Sequence, residues 1–262
     1  MTIQFQQHPG LVVYLTIGDP DLATSKRIAL AAIDAGADVL ELGVPFSDPL
    51  ADGPVIQRAS ERAVRNGTRL DDVLALARDL RAERPRIGLV IFSYLNPILR
   101  MGLERFAAAA ETSGVDAVLV TDLIVEESAE YRAVLRRHRL QPIFLAAPTS
   151  PDNRLARIAE VSEGFIYAIS RVGITGTQQE VASDARDLVA RLRRHTQLPI
   201  ALGFGISNAA HVAAVAEFAD AAVVGSAIVG LIEQSAPENA PGAVGEFIAA
   251  LRSPIPSETT VS

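Results

Sequence analysis

Eight short apolar runs, spread along the whole chain and each followed by an amphipathic segment, constrain the fold more than any other feature. They are Leu11–Thr16, Asp38–Glu41, Gly88–Ile91, Ala117–Val120, Pro142–Leu145, Phe165–Ile169, Pro199–Leu202 and Ala221–Val224. The runs are continuous rather than alternating, which implies strands buried on both faces, as in a parallel sheet. Helical patterns fill the intervals at roughly Leu22–Ala35, Val55–Asn66, Leu70–Leu80, Leu103–Thr112, Glu126–Arg137, Asp152–Glu160, Ala185–His195, Ala209–Phe218 and Ala227–Gln234, with a last one at Ala243–Leu251. Eight such units in 262 residues is the arithmetic of a single (β/α)8 TIM barrel. A doubly wound open sheet is the alternative, although such sheets more often have about five or six strands.

Internal echoes support the count. "DAGADVLELG" (34–43), "TSGVDAVLVTD" (112–122) and "EFADAAVVGS" (217–226) each read as helix end, small residue, Asp, then buried strand. No low-complexity linker divides the chain, so residues 1–252 are expected to form one domain. The remainder, 253–262, "SPIPSETTVS", is rich in Pro, Ser and Thr and is expected to fray.

Composition narrows the chemistry. A formal charge of -7 argues against nucleic acid or an anionic membrane as partner. With no Cys there is no disulfide, thiolate nucleophile or Cys-ligated metal. The start, "MTIQFQQHPG", lacks the pattern of a signal peptide, and no apolar run is long enough to span a bilayer. A cytoplasmic protein is the expectation.

Barrel active sites lie at the C-terminal strand ends. The second run leads into "ELGVPFSDPLADGP", which carries Glu41, Asp48 and Asp52 with no basic residue before Arg58. A carboxyl group at the edge of a core is costly unless something pairs or uses it. At the mouth of a barrel, a raised pKa would suit Glu41 to general acid/base work near neutrality. Asp52 lies eleven residues on, before Gly53-Pro54, where a turn could return it over the mouth. Capping the helix ahead of Pro54 is the competing role. "LGFGIS" and "VGSAIV" follow the seventh and eighth runs, each opening a helix. Glycines there let backbone N–H groups approach an anion, and the helix dipole after Gly225 favours it. Turns need glycine too, but the pair at these two positions points to a phosphate. After the sixth run, "SRVGITGTQQE" suits a lid that closes on ligand, or an ordinary long loop.

Two familiar routes for phosphosugar chemistry are poorly supplied. A Schiff-base aldolase needs a lysine in the barrel, and Lys26, the only lysine, falls on the first outer helix. A metal route needs His and carboxylates clustered at strand ends, yet His8, His138, His195 and His211 fall before the first run or on helices. What remains is carboxylate acid/base chemistry on a substrate with its own electron sink, with neither metal nor cofactor in this chain.

"YLTIGDP" (14–20), "DAGADVLELGVPFSDPLADGPVIQ" (34–57), "FSYLNPI" (92–98), "VDAVLVTDLIVEES" (115–128), "ISRVGITG" (169–176), "GFGIS" (203–207) and "GSAIV" (225–229), in this order, resemble the α subunit of tryptophan synthase. That family cleaves indole-3-glycerol phosphate to indole and glyceraldehyde 3-phosphate. The resemblance implies that Glu41 is the catalytic glutamate, which protonates the ring and handles the glycerol hydroxyl proton. Asp52 is then the aspartate bonding the indole N–H, and Tyr167 the tyrosine near the glutamate. Gly176, Gly205, Gly225 and Ser226 match phosphate-binding positions, Thr175 the lid threonine that closes toward Asp52, and Tyr14 and Phe204 the substrate-binding set. Pro45, Asp48 and Pro49 match the loop that meets a PLP-dependent β subunit in an αββα tetramer, into which indole passes.

The chain departs from the family in three places. Only ten residues precede Leu11, where the family has a leading helix; Ile124 replaces a Pro; and Phe92 replaces a smaller Leu or Met. The first two lie near the partner-facing side. Two other readings follow: a stand-alone lyase that releases free indole, and a non-catalytic paralogue that only activates β. The presence of Glu41, Asp52 and Tyr167 disfavours the second.

Overall fold

Each apolar run pairs in parallel with its neighbours in sequence, and the last returns to pair with the first. In the computed structural model, which describes residues 3–169, 178–203 and 205–253, the elements run β1 (Gly10–Thr16), α1 (Leu22–Asp34), β2 (Val39–Gly43), α2 (Pro54–Arg65), α3 (Leu70–Glu83), β3 (Gly88–Ser93), α4 (Leu95–Met101), α5 (Leu103–Thr112), β4 (Ala117–Val120) and, after a 3-10 turn at Val125–Glu127, α6 (Ala129–Arg137). There follow β5 (Gln141–Ile143), β6 (Leu145–Ala146), α7 (Asp152–Val161), β7 (Ile166–Ile169), α8 (Gln178–Arg193), β8 (Ile200–Gly203), α9 (Ala209–Ala216), β9 (Ala221–Val224), α10 (Ser226–Gln234) and α11 (Ala240–Arg252). The sheet order is β5-β4-β3-β2-β1-β9-β8-β7-β6. Its two edges, β5 and β6, are consecutive pieces of the fifth run, interrupted only at Phe144, so the sheet closes on itself. The Tyr167 N–H donates to the Phe144 carbonyl at 3.2 Å and carries the ladder across the interruption. This is the expected barrel.

Alternate strand residues face inward, as closure requires. Val12, Val39, Val90, Ala117, Leu119, Ile143, Phe165, Ala201, Ala221 and Val223 form an interior cluster. The intervening residues, such as Leu11, Leu40, Leu89 and Val118, pack instead with the helices in a larger outer cluster. The segment before β1 forms no helix but covers the barrel's lower end. Ile3 is buried, Phe5 lies 6.1 Å from Phe165 between ring centroids, and the Gln6 N–H donates to Asp38.

The repeated Asp of the sequence echoes has a clear physical role at this lower rim. Asp38, Asp116 and Asp220 each stand just ahead of a strand and accept a backbone N–H from the start of a neighbouring strand. The donors are Leu11 at 2.8 Å, Leu89 at 2.9 Å and Ile200 at 2.7 Å. Each is also paired with an arginine from the outer helical layer: Arg252, Arg81 and Arg193 respectively.

Several boundaries differ from the sequence expectation for identifiable reasons. The "LNPILRM" segment is α4 rather than loop; its Pro97 falls in the first turn, where a missing N–H costs nothing. Likewise α11 starts earlier, with Pro241 in its first turn. The stretch from Glu126 begins as a 3-10 turn, and the helix proper starts at Ala129. Glu41 stands in the middle of β2 rather than at its end. The tail beyond Ser253 lies outside the described residues.

Candidate active site

Because β1, β2 and β3 pair in register, Glu41 shares its level with Tyr14 on one side and Val90 on the other. All three belong to the inward-facing set, so the barrel holds a carboxyl group in its apolar interior. Glu41 is fully buried, and among the described residues neither oxygen has a hydrogen-bond partner. Burial alone pushes its pKa up, to about 8, because an enclosed carboxylate loses hydration and gains nothing in return. Near neutrality the group is therefore a neutral acid.

Above this level the interior opens into a cavity of about 660 Å³ at the C-terminal strand ends. Its lining includes Tyr14, Phe92, Leu145 and Tyr167, then Asp52, Gly53 and Ile56, and the small residues Gly203, Gly205, Ser207, Gly225, Ser226 and Ala227. Small residues make the space. A Cβ at Gly203 would sit 2.8 Å from the Tyr167 hydroxyl, and one at Gly43 2.4 Å from that of Tyr14. Both positions are glycine because a tyrosine crosses over them. Tyr14 and Phe92 meet edge to face at 5.0 Å and close the apolar end. The Glu41 carboxyl group itself does not line the cavity; Tyr14 and Tyr167, both buried near it, do. Burial, with the Asp52 charge acting on Tyr14 and the Glu41 charge on Tyr167, raises both phenols far above their usual value.

Asp52 is not a helix cap. The N-cap of α2 is Gly53, with no side-chain hydrogen bond, and the Asp52 carboxylate instead accepts the Tyr94 hydroxyl at 3.0 Å. Burial raises its pKa, and the Tyr94 bond partly opposes this. Tyr94 was not singled out among the candidate residues. Its signal was its place, a phenol directly after the third run.

Also on the cavity lining, Gly225 is the N-cap of α10 and has no side-chain cap. The first-turn N–H groups of a helix have no partner within it, so this end offers donors and a positive dipole to an anion. No Lys or Arg stands among the described residues that line the cavity. A Cβ at Gly225 would meet Tyr14 only at ordinary contact distance, 3.4 Å, so the protein does not fill the space there. Gly205 has a φ of +46°, a conformation that favours glycine.

The structure thus brings together Tyr14, Asp52, Tyr167, Gly205, Gly225 and Ser226 around one cavity, with Glu41 buried beside it. Thr175, Gly176 and Phe204 lie outside the described residues. Pro45, Asp48 and Pro49 are apart from the cavity, on the loop between β2 and α2. Asp48 is exposed there, and Leu50 is 91% exposed. Lys26 is on the outer layer, paired with Asp79 and Glu83 of α3, and His138 bridges Glu104 and Glu111 of α5. Among the described residues no group of three His, Asp or Glu side chains is placed to hold a metal, and no helix is long and apolar enough to cross a membrane.

The family model described as tryptophan synthase alpha chain matches residues 2–251. A relative of that name from Burkholderia thailandensis is 47% identical over 250 residues, covering 95% of this chain and 92% of its own. Another from Solibacter usitatus is 47% identical over 231 residues, covering 88% and 86%. The tryptophan synthase complex from Pyrococcus furiosus contains a chain that superposes with a TM-score of 0.85 at 36% identity, covering 94% of this chain and 98% of that one.

Proposed function

The chain belongs to the tryptophan synthase alpha chain family, and on that premise we propose how its own residues carry the family's reaction. It is a lyase of tryptophan biosynthesis, cleaving indole-3-glycerol phosphate to indole and glyceraldehyde 3-phosphate, and it pairs with a β subunit. The likeness to chains of intact complexes supports this paired reading over a stand-alone lyase.

Cleavage of the bond between indole C3 and the glycerol chain needs an electron sink, and protonation at C3 makes the ring one. Glu41, neutral near pH 7, donates that proton. The resulting cation spreads its charge onto the ring nitrogen, whose N–H bonds the Asp52 carboxylate; a fixed negative charge there stabilises the cation. Glu41, now a carboxylate, removes the proton from the hydroxyl on the carbon attached to C3. The C–C bond breaks, its electron pair restores the aromatic ring, and the carbon becomes an aldehyde. Glu41 ends protonated, ready for the next turnover. Reaching C3 takes a rotation of the Glu41 side chain toward the cavity, and no hydrogen bond holds its oxygens back.

Tyr167 and Tyr14 shape the apolar end and the surroundings of Glu41. The substrate phosphate sits at the far end, against Gly205, Gly225, Ser226 and the start of α10, with Gly176 completing the site and Thr175 closing toward Asp52. The loop with Pro45, Asp48 and Pro49, of which Asp48 is exposed, meets the β subunit within an αββα assembly, where PLP resides in β. The proposal includes a cytoplasmic location and one barrel domain over residues 1–252.

The observation that carries this reading is Glu41: a buried acid with no partner, beside a cavity whose other end offers backbone donors. Glu41→Gln tests it. Indole release should fall by ~10²–10⁴-fold, the usual range for a lost general acid, while glycerol 3-phosphate still binds. Retention of more than about a tenth of the rate removes Glu41 from the chemistry.

A further inference from the structure

Tyr94 follows β3 and is only 5% exposed. Its backbone is held by groups that do not belong to the loop carrying Asp52. The Leu95 N–H donates to Asp122 at 2.7 Å, and the Ser93 hydroxyl donates to the Tyr94 carbonyl at 2.8 Å. The phenol projects to the loop between β2 and α2, where its ring packs 5.2 Å from that of Phe46. Its hydroxyl uses both of its functions on consecutive residues of that loop. It accepts the Ala51 N–H at 2.8 Å and donates to Asp52 Oδ2 at 3.0 Å. Among the described residues no donor reaches Asp52 Oδ1, and Asp52 lines the cavity.

From this geometry we propose that Tyr94 is a positioning residue, which keeps Asp52 ionised and holds its free oxygen for the substrate ring N–H. The inference rests on the reading of Asp52 given above. Burial raises the Asp52 pKa; the ionised form is the stronger acceptor for a ring N–H, and only it can balance a ring cation. A hydrogen bond to a carboxylate favours its charged form. The Ala51 N–H, donating into the same phenolic oxygen, polarises the O–H and makes it a better donor. A tyrosine that merely stapled the loop would need the contacts but would leave the charge state of Asp52 without consequence.

The test uses the complex with its β subunit and compares Tyr94→Phe, Asp52→Asn and the double variant. Indole-glycerol-phosphate cleavage is followed across the pH range in which the complex is stable, with glycerol 3-phosphate binding as a check on the fold. Tyr94→Phe should move the acid limb of kcat/KM upward by about one pH unit and leave the alkaline limb, set by Glu41, in place. The profile therefore narrows from its acid side, with roughly a ten-fold loss on that limb. In the Asp52→Asn background the same change should alter the rate by less than about two-fold, since the group it acts on is already neutral. An unmoved acid limb, or an equal loss in both backgrounds, overturns the role of Tyr94. Near wild-type rate in Asp52→Asn alone gives a different pattern: it removes the Asp52 reading, and the inference with it.

Discussion

At the lower rim Asp38, Asp116 and Asp220 are each held by a backbone N–H and an arginine. Among the described residues, Glu41 inside the barrel has no partner for either oxygen, and Asp52 above it has one phenol. The same functional group thus occurs in two states within one barrel. Where the strands begin, a carboxylate closes off a ladder N–H that would otherwise be orphaned, and the arginine offsets the cost of burying its charge. At Glu41, in the middle of β2, the burial cost is left standing, and it appears as a proton affinity suited to catalysis. Partners, rather than burial, separate the two: Asp38 and Asp116 are almost as buried as Glu41.

The sharpest way to break this comparison is to exchange the expected losses. Asp116→Ala should leave the kcat of the folded enzyme within about two-fold but cost about 3 kcal/mol of stability. Arg81 and the Leu89 N–H then lose an acceptor that little water can replace. Indole release measures the first quantity and chemical denaturation the second. Glu41→Gln should do the reverse. If Asp116→Ala proved as stable as wild type, the lower-rim pairs would be ornaments, and the contrast between the two ends would lose its meaning.

A second, smaller effect sharpens the contrast through pH. Burial raises the folded-state pKa of Glu41 to about 8 from its ordinary 4.5. Between those values the folded protein keeps a proton that the unfolded chain has released, so folding stability falls as pH rises through this window. Below the lower value the penalty is absent; above the upper one it is complete. Glutamine cannot titrate. Glu41→Gln should therefore gain stability relative to wild type by about 2 kcal/mol between pH 6 and pH 8, read from urea midpoints at the two pH values. A gap that stays constant with pH would mean that Glu41 is hydrated or partnered in solution.

Much of this contrast could be read from the sequence, but only on one side. The absence of any cation near Glu41 and Asp52 is a local property, and it singled out both residues. The arginines of the lower rim are not local: the pairs join residues 35, 214 and 27 positions apart. The repeated Asp was visible, but its partners had to wait for the fold. Element types followed periodicity well, and β4 and β9 match their expected bounds at both ends. α4 was hidden because its seven residues include Pro97, which argues against a helix unless it falls in the first turn. Whether Asp52 capped a helix or faced the cavity could not be settled from sequence, because Asp52-Gly53-Pro54 suits both roles. The position of Tyr94 decided it. The phosphate end was legible as paired glycines, yet only the open space beside Gly225 separates a binding position from a turn.

That space gives the smallest effect and a test of its own. Glycines occur at both rims, for opposite reasons. A Cβ at Gly10, on the lower rim, would lie 2.2 Å from the Phe5 ring and 2.8 Å from its Cβ, so Gly10→Ala must displace the segment that covers the barrel. At Gly225 the nearest atoms are those of Tyr14 at 3.4 Å and beyond, and φ is -122°, which any residue can adopt. Gly225→Ala should therefore keep its stability to within about 0.5 kcal/mol. The added methyl group occupies the approach to the first N–H groups of α10, where the phosphate would sit. Glycerol 3-phosphate affinity, measured by calorimetry, should fall roughly ten-fold, or about 1.4 kcal/mol. Gly10→Ala should show the opposite pattern, a lower melting temperature with ligand affinity retained in the folded fraction. Unchanged affinity in Gly225→Ala would move the phosphate away from α10, leaving that glycine as the turn it also makes.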